Sequence, residues 1–212
     1  SYCTSCKEKY NHVFLAIMEV VVGVFDLMLS FVAILFGIGY SKLLNIVPNV
    51  FSKNEKSNLT FQLFYIYVFF AGIFHFWGFT NNLGIENYGF GHFFLDVIFS
   101  CTIYALCALT CPTNLEKINS WRDHFIKVRS KVWFCQFLLI ANKALLGVIV
   151  SQNEDQQFVT YMVVLLPWFI FSCLGFFFKN MTIQLITILL SLAHTTIGAF
   201  ATLLSDASGL TN

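Results

Sequence analysis

Residues 13–40, VFLAIMEVVVGVFDLMLSFVAILFGIGY, decide how the rest of the chain is read. A helix that crosses a bilayer needs about 20 mostly apolar residues in a row, and this run is longer. It also exceeds the apolar region of a cleavable signal peptide and lacks a small-residue cleavage site, so it reads as a permanent span. Two carboxylates interrupt it, Glu19 and Asp26. At about 100° per residue, Glu19, Gly23, Asp26, Ser30 and Gly37 fall on one narrow stripe. A carboxylate facing lipid is costly, so the stripe is expected to face protein, water or an ion.

The remainder of the chain has the same character. Of 212 residues, 58% are hydrophobic and only 11% charged, against roughly 25% charged in a soluble domain. Five further apolar runs follow, at 59–81, 90–111, 132–150, 158–178 and 181–204. The expectation is a single all-α domain over residues 1–212, a polytopic integral membrane protein built as a bundle of six transmembrane helices with short loops. Pro167 should kink the fifth helix, and the fifth and sixth should be joined by a tight turn around Lys179 and Asn180. A net charge of +1 leaves no nucleic-acid footprint. Cys101, Cys107, Cys111, Cys135 and Cys173 lie in or beside apolar runs, where Cys acts as a small hydrophobe. No disulfide framework is implied, and Cys3-x-x-Cys6 reads as two thiols in a polar lead.

Charge sets the orientation. With six spans, Lys7 and Lys9 lie on one side of the membrane. Lys42, Lys53, Lys56, Lys117, Arg122, Lys127, Arg129, Lys131 and Lys179 lie on the other. The positive-inside rule makes the second side cytoplasmic and puts both termini on the non-cytoplasmic side. Two glycosylation sequons, Asn58-Leu59-Thr60 and Asn180-Met181-Thr182, fall on the cytoplasmic side, each against a span end. Segment 112–131 is patterned: Leu115, Ile118, Trp121, Phe125 and Val128 recur at helical spacing, behind a capping box Thr113-x-x-Glu116. Its basic residues, Lys117, Arg122, Lys127, Arg129 and Lys131, form a candidate membrane-surface patch. The segment reads either as a helix on the anionic leaflet or as a membrane-proximal connector.

Depth groups the intramembrane charges. Glu19, His75, His92, Asp96 and Lys143 all enter the outer half of the bilayer at comparable depth, and mutual pairing would be the economical arrangement. Asp26 lies near mid-membrane, level with His194 alone among basic groups, and the two form a candidate ion or proton site. Spans one, three, four and six each show a polar or small face, whereas two and five read as peripheral.

Three functions fit these features. The first is a non-catalytic membrane subunit or accessory protein that acts by helix packing within an assembly. The second is a small cation- or proton-coupled transporter or channel using the buried carboxylates. The third is a membrane-embedded, metal-dependent lipid hydrolase with His75, His92 and Asp96 as weak ligand candidates. No complete catalytic motif is present, so no catalytic residue is assigned and no cofactor is expected beyond a bound lipid. The expected partners are the bilayer and other membrane subunits, or a second copy of the chain.

Overall fold

The computed structural model describes residues 29–52, 58–82, 90–112, 114–115, 118–150 and 155–209. Within the helices, the side chains at 75, 77–82, 149–150, 155–161, 202–203 and 205–209 fall outside that description. Among the described residues there are six helices and no strand: α1 (Leu29–Phe51), α2 (Leu59–Asn82), α3 (Phe90–Thr110), α4 (Trp121–Val150), α5 (Asp155–Phe177) and α6 (Met181–Gly209). Four stretches, Leu29–Phe51, Phe90–Thr110, Trp121–Val148 and Met181–Ala201, are long and apolar enough to cross a membrane. The apolar parts of α2 and α5, Leu59–Phe74 and Met162–Phe177, are shorter. Large apolar side chains point outward, among them Phe90, Phe177, Ile197 and Leu204. A water-soluble surface does not tolerate so much exposed hydrocarbon, and a bilayer requires it.

α1 ends later than the sequence suggests. Its helix passes Tyr40 and runs to Phe51, because Leu43, Ile46 and Val50 recur at helical spacing and are buried. Side chains of neighbouring helices then satisfy its carbonyls. Tyr65 Oη donates to Leu43 O (2.9 Å), Gln62 Nε2 to Val50 O (3.0 Å) and Trp121 Nε1 to Asn49 O (3.2 Å). The last carbonyls of a helix, here those of Asn49 and Val50, have no helical partner, so the bonds from Gln62 and Trp121 bind the end of α1 to α2 and α4.

α4 starts earlier than expected. Residues 121–131 are the base of one continuous 30-residue helix, about 45 Å long, and not a separate helix lying on the membrane. Within the patterned stripe, Ile118, Trp121 and Phe125 are buried, and they pack on α2. Phe61 stacks on Trp121 at 4.7 Å and Phe64 meets Phe125 at 5.1 Å. The middle of the amphipathic face is therefore consumed by the bundle, while Leu115 at its start stays exposed. α2 is correspondingly central, with Phe61, Phe64 and Tyr67 fully buried, which corrects its reading as a peripheral span.

The two sequon asparagines cap helices. Asn58 Oδ1 accepts from Phe61 N (3.0 Å) at the start of α2, and Asn180 Oδ1 accepts from Thr182 N (2.8 Å) at the start of α6. Each satisfies one amide that the first helical turn leaves without a partner. α5 and α6 are joined by residues 178–180 alone, the tight turn expected from the sequence.

Candidate functional site

Three arrangements of polar groups stand out. The first sits between α3 and α4. Asp96 is buried, and its charge acts on the Lys143 ammonium, which lies 5.0 Å over the Phe99 ring. One residue before each, Asn142 Nδ2 donates to Leu95 O across the same helix pair at 2.8 Å. Asp96 and Lys143, two members of the expected charged layer, thus sit on one packed helix pair, each one residue beyond this bond. His92 is half-buried one turn before Asp96. Glu19 and the side chain of His75 lie outside the described residues. Among the described residues no three His, Cys, Asp or Glu side chains gather as metal ligands would.

The second arrangement binds the α5–α6 hairpin to α4, and sequence reasoning missed it as a unit. Arg129, placed in the surface patch on its sequence position, is only 6% exposed and donates to Phe178 O just past the end of α5. Gln184 Nε2 donates to Gly175 O (2.7 Å) and Phe178 O (2.6 Å), while its Oε1 accepts from Trp133 Nε1 (2.9 Å). A cation at a helix C-terminus meets the negative end of the dipole, which contributes up to about 2 kcal/mol when partly buried. The Trp133 indole lies flat on Gly175, so close that any Cβ there would fall inside the ring's van der Waals surface. Close backbone approach is the reason for glycine at this position. The other described members of the basic patch, Arg122, Lys127 and Lys131, are exposed; Lys117 lies outside the described residues.

His194 has a local role. Pro167 sits inside α5, where a missing N–H and a crowding ring open the preceding turn. The carbonyl of Val164 in that turn lies 3.1 Å from His194 Nε2, and the ring packs edge-on against Trp168 at 5.5 Å. A carbonyl only accepts, so Nε2 carries the proton. Asp26, the expected partner of His194, lies outside the described residues.

The third arrangement is the outer face of α1. Ser30, Ala33, Gly37 and Ser41 share one side of the helix and are all exposed, and a Cβ added to Gly37 would meet nothing within 4 Å. Ser30 and Gly37 belong to the stripe that, in sequence, also carries Glu19 and Asp26. The described helices leave that face uncovered, and only 28% of the apolar part of α1 is buried, as in α6, against half in α3 and α4. Small residues four apart are the pattern by which transmembrane helices approach closely.

No family model matches the chain, and no curated protein or solved structure proved similar to it. Function therefore rests on the geometry alone.

Proposed function

We propose that the chain is a non-catalytic, multi-pass membrane subunit that packs α1 against a transmembrane helix of another protein. In this reading all six helices span the bilayer, and both termini face away from the cytoplasm. The carrying observation is the exposed Ser30–Ala33–Gly37–Ser41 face. A stripe whose sequence register includes two carboxylates is left open to the outside of the bundle. Lipid is a poor neighbour for such a stripe, and a protein is a good one. The interior supports the same reading, since Asn142, Gln184, Trp133, Arg129 and His194 spend their donors tying helix to helix.

Charge complementarity selects the occupant. Two copies packed through this stripe would bring Glu19 and Asp26 toward their own counterparts, which is repulsive in a medium of low dielectric. The partner helix is therefore a different chain carrying Lys, Arg or His at matching depth. The test is co-purification of the full chain from its native membrane after crosslinking. Wild type should retain a stoichiometric membrane partner. Gly37→Leu, which fills the groove without touching this chain's own core, should lose that partner while keeping its thermal stability. A homodimer through α1, or partner retention in Gly37→Leu, would overturn the proposal.

A further inference from the structure

A groove of about 460 Å³ opens where α3 ends and α4 begins, within the size range of small-molecule clefts. Its floor is apolar, with Ala108, Leu109 and Val128. Its rim carries Asp123 and Lys127, one helical turn apart on α4 and so about 6 Å apart at their Cβ atoms. Both are exposed, and neither is drawn into an ion pair with the other among the described residues. His124, between them, is occupied elsewhere: its Nε2 lies 3.2 Å from Thr110 O at the end of α3. Among the described residues, the opposite charges on the rim thus remain available to a ligand.

The bilayer-facing surfaces lead into this groove from both walls. On α3, Phe94, Ile98 and Cys101 are exposed, and the same face continues through Ala105 to Ala108 on the groove floor. On α4, Leu145, Ala141, Leu138, Phe134 and Lys131 are exposed along one face that ends at Lys127 on the rim. These steps of three and four residues keep each row on one side of its helix. The two helices are packed neighbours, and each exposed row runs along its helix toward residues that line the groove.

We infer that this groove binds the headgroup of an aminophospholipid, with Lys127 on the phosphate and Asp123 on the primary ammonium, while the acyl chains lie along the exposed faces of α3 and α4. A cation beside a carboxylate matches a ligand with phosphate and ammonium a few bonds apart. A purely anionic headgroup would face Asp123 unfavourably, and a trimethylated amine would give Asp123 no N–H to accept from. The inference stands independently of the partner proposed for α1, because no residue is shared.

The test is native mass spectrometry of the full chain released from nanodiscs that contain equal amounts of phosphatidylethanolamine, phosphatidylcholine and phosphatidylglycerol with matched acyl chains. Wild type should retain phosphatidylethanolamine about tenfold over either competitor, the size of one charge-assisted hydrogen bond. Asp123→Asn, isosteric and exposed, should bring the phosphatidylethanolamine to phosphatidylcholine ratio to about one. Lys127→Gln should lower retention of all three by about tenfold, and Lys179→Gln, exposed on the α5–α6 turn and outside both the groove lining and the two rows, should change nothing. Equal retention of the three lipids by wild type, or an unchanged ratio in Asp123→Asn, would overturn the assignment. So would displacement of the lipid by millimolar soluble phosphoethanolamine, which would make the ligand an aqueous metabolite. Thermal midpoints of each variant, measured in parallel, separate lost binding from lost folding.

Discussion

The same substitution, Gly→Ala, should have opposite consequences at two positions. At Gly175 the new methyl would collide with the Trp133 ring, and neither partner gives way easily, since Trp133 is fully buried and its Nε1 is bonded to Gln184. Overpacking of this kind costs about 1–3 kcal/mol. If the indole is pushed off Gly175, the bond to Gln184 is lost as well, adding about 1 kcal/mol. The expected loss is therefore roughly 2–4 kcal/mol. At Gly37 the methyl would meet open space, and the only change is removal of a flexible residue from a helix interior, a gain of up to about 1 kcal/mol. The assay is thermal denaturation of both variants in one detergent at one scan rate, because unfolding of such proteins is commonly irreversible. The reporter is a thiol-reactive fluorophore that reaches buried Cys135 only on unfolding. Gly175→Ala should lower the midpoint, Gly37→Ala should leave it level or raise it, and Trp133→Leu added to Gly175→Ala should recover part of the loss. Equal midpoints for the two glycine variants, or strict additivity with Trp133→Leu, would refute the reasoning.

Lys143→Met should strand the buried Asp96 and cost about 3 kcal/mol, and Asp96→Asn on top of it should restore a good part; the double-mutant cycle in the same assay measures the coupling, and zero coupling would dissolve the pair. His194→Phe keeps a ring against Trp168 but removes the donor to Val164 O, so it should destabilise by about 1–3 kcal/mol, with His194→Gln milder; equal midpoints for the two would argue against the bond. Cys111, one residue beyond α3, has its thiol pushed up to about 12 by burial, against an opposing pull from the Lys42 ammonium. Its alkylation at pH 7.5 should be at least about a hundredfold slower than that of free cysteine, as read by intact-mass kinetics, and labelling at the free-thiol rate would contradict the burial.

The helical membrane character is legible because it depends on composition and run length, which need no neighbours. The tight turn before α6 is legible from run length as well, and the Leu115–Val128 pattern is legible as a helical face because helical spacing identifies one. Spacing does not say what covers the face, so the stripe containing Trp121 and Phe125 reads from sequence as a helix on the leaflet or as a connector, and its place in the core is not visible there. Only contact with Phe61 and Phe64 decides between them. Arg129 shows the limit most clearly. In sequence it is one of several basic residues near a span end, and nothing local distinguishes it from Lys127 or Lys131. Its burial follows from the carbonyl of Phe178, 49 residues away, a partner that no periodicity can point to. The placement of Asp96 and Lys143 on neighbouring helices is within reach of depth bookkeeping, because charges at equal depth in hydrocarbon have few other options.

The Pro167–His194 contact has a consequence for how the protein enters its membrane. If α5 crosses the bilayer as proposed, inserting it by itself would carry the turn opened by Pro167 into hydrocarbon, with the Val163 carbonyl deprived of its helical N–H, and a poorly satisfied backbone carbonyl there costs several kcal/mol. The donor to this turn, His194 at the Val164 carbonyl, is on α6, at the far side of a turn of residues 178–180. Lateral release of α5 from an insertion machine is thus favoured only once α6 has been threaded beside it. The two should leave as a helical hairpin, and a truncation after residue 180 should leave α5 held at the machinery or turned over by quality control.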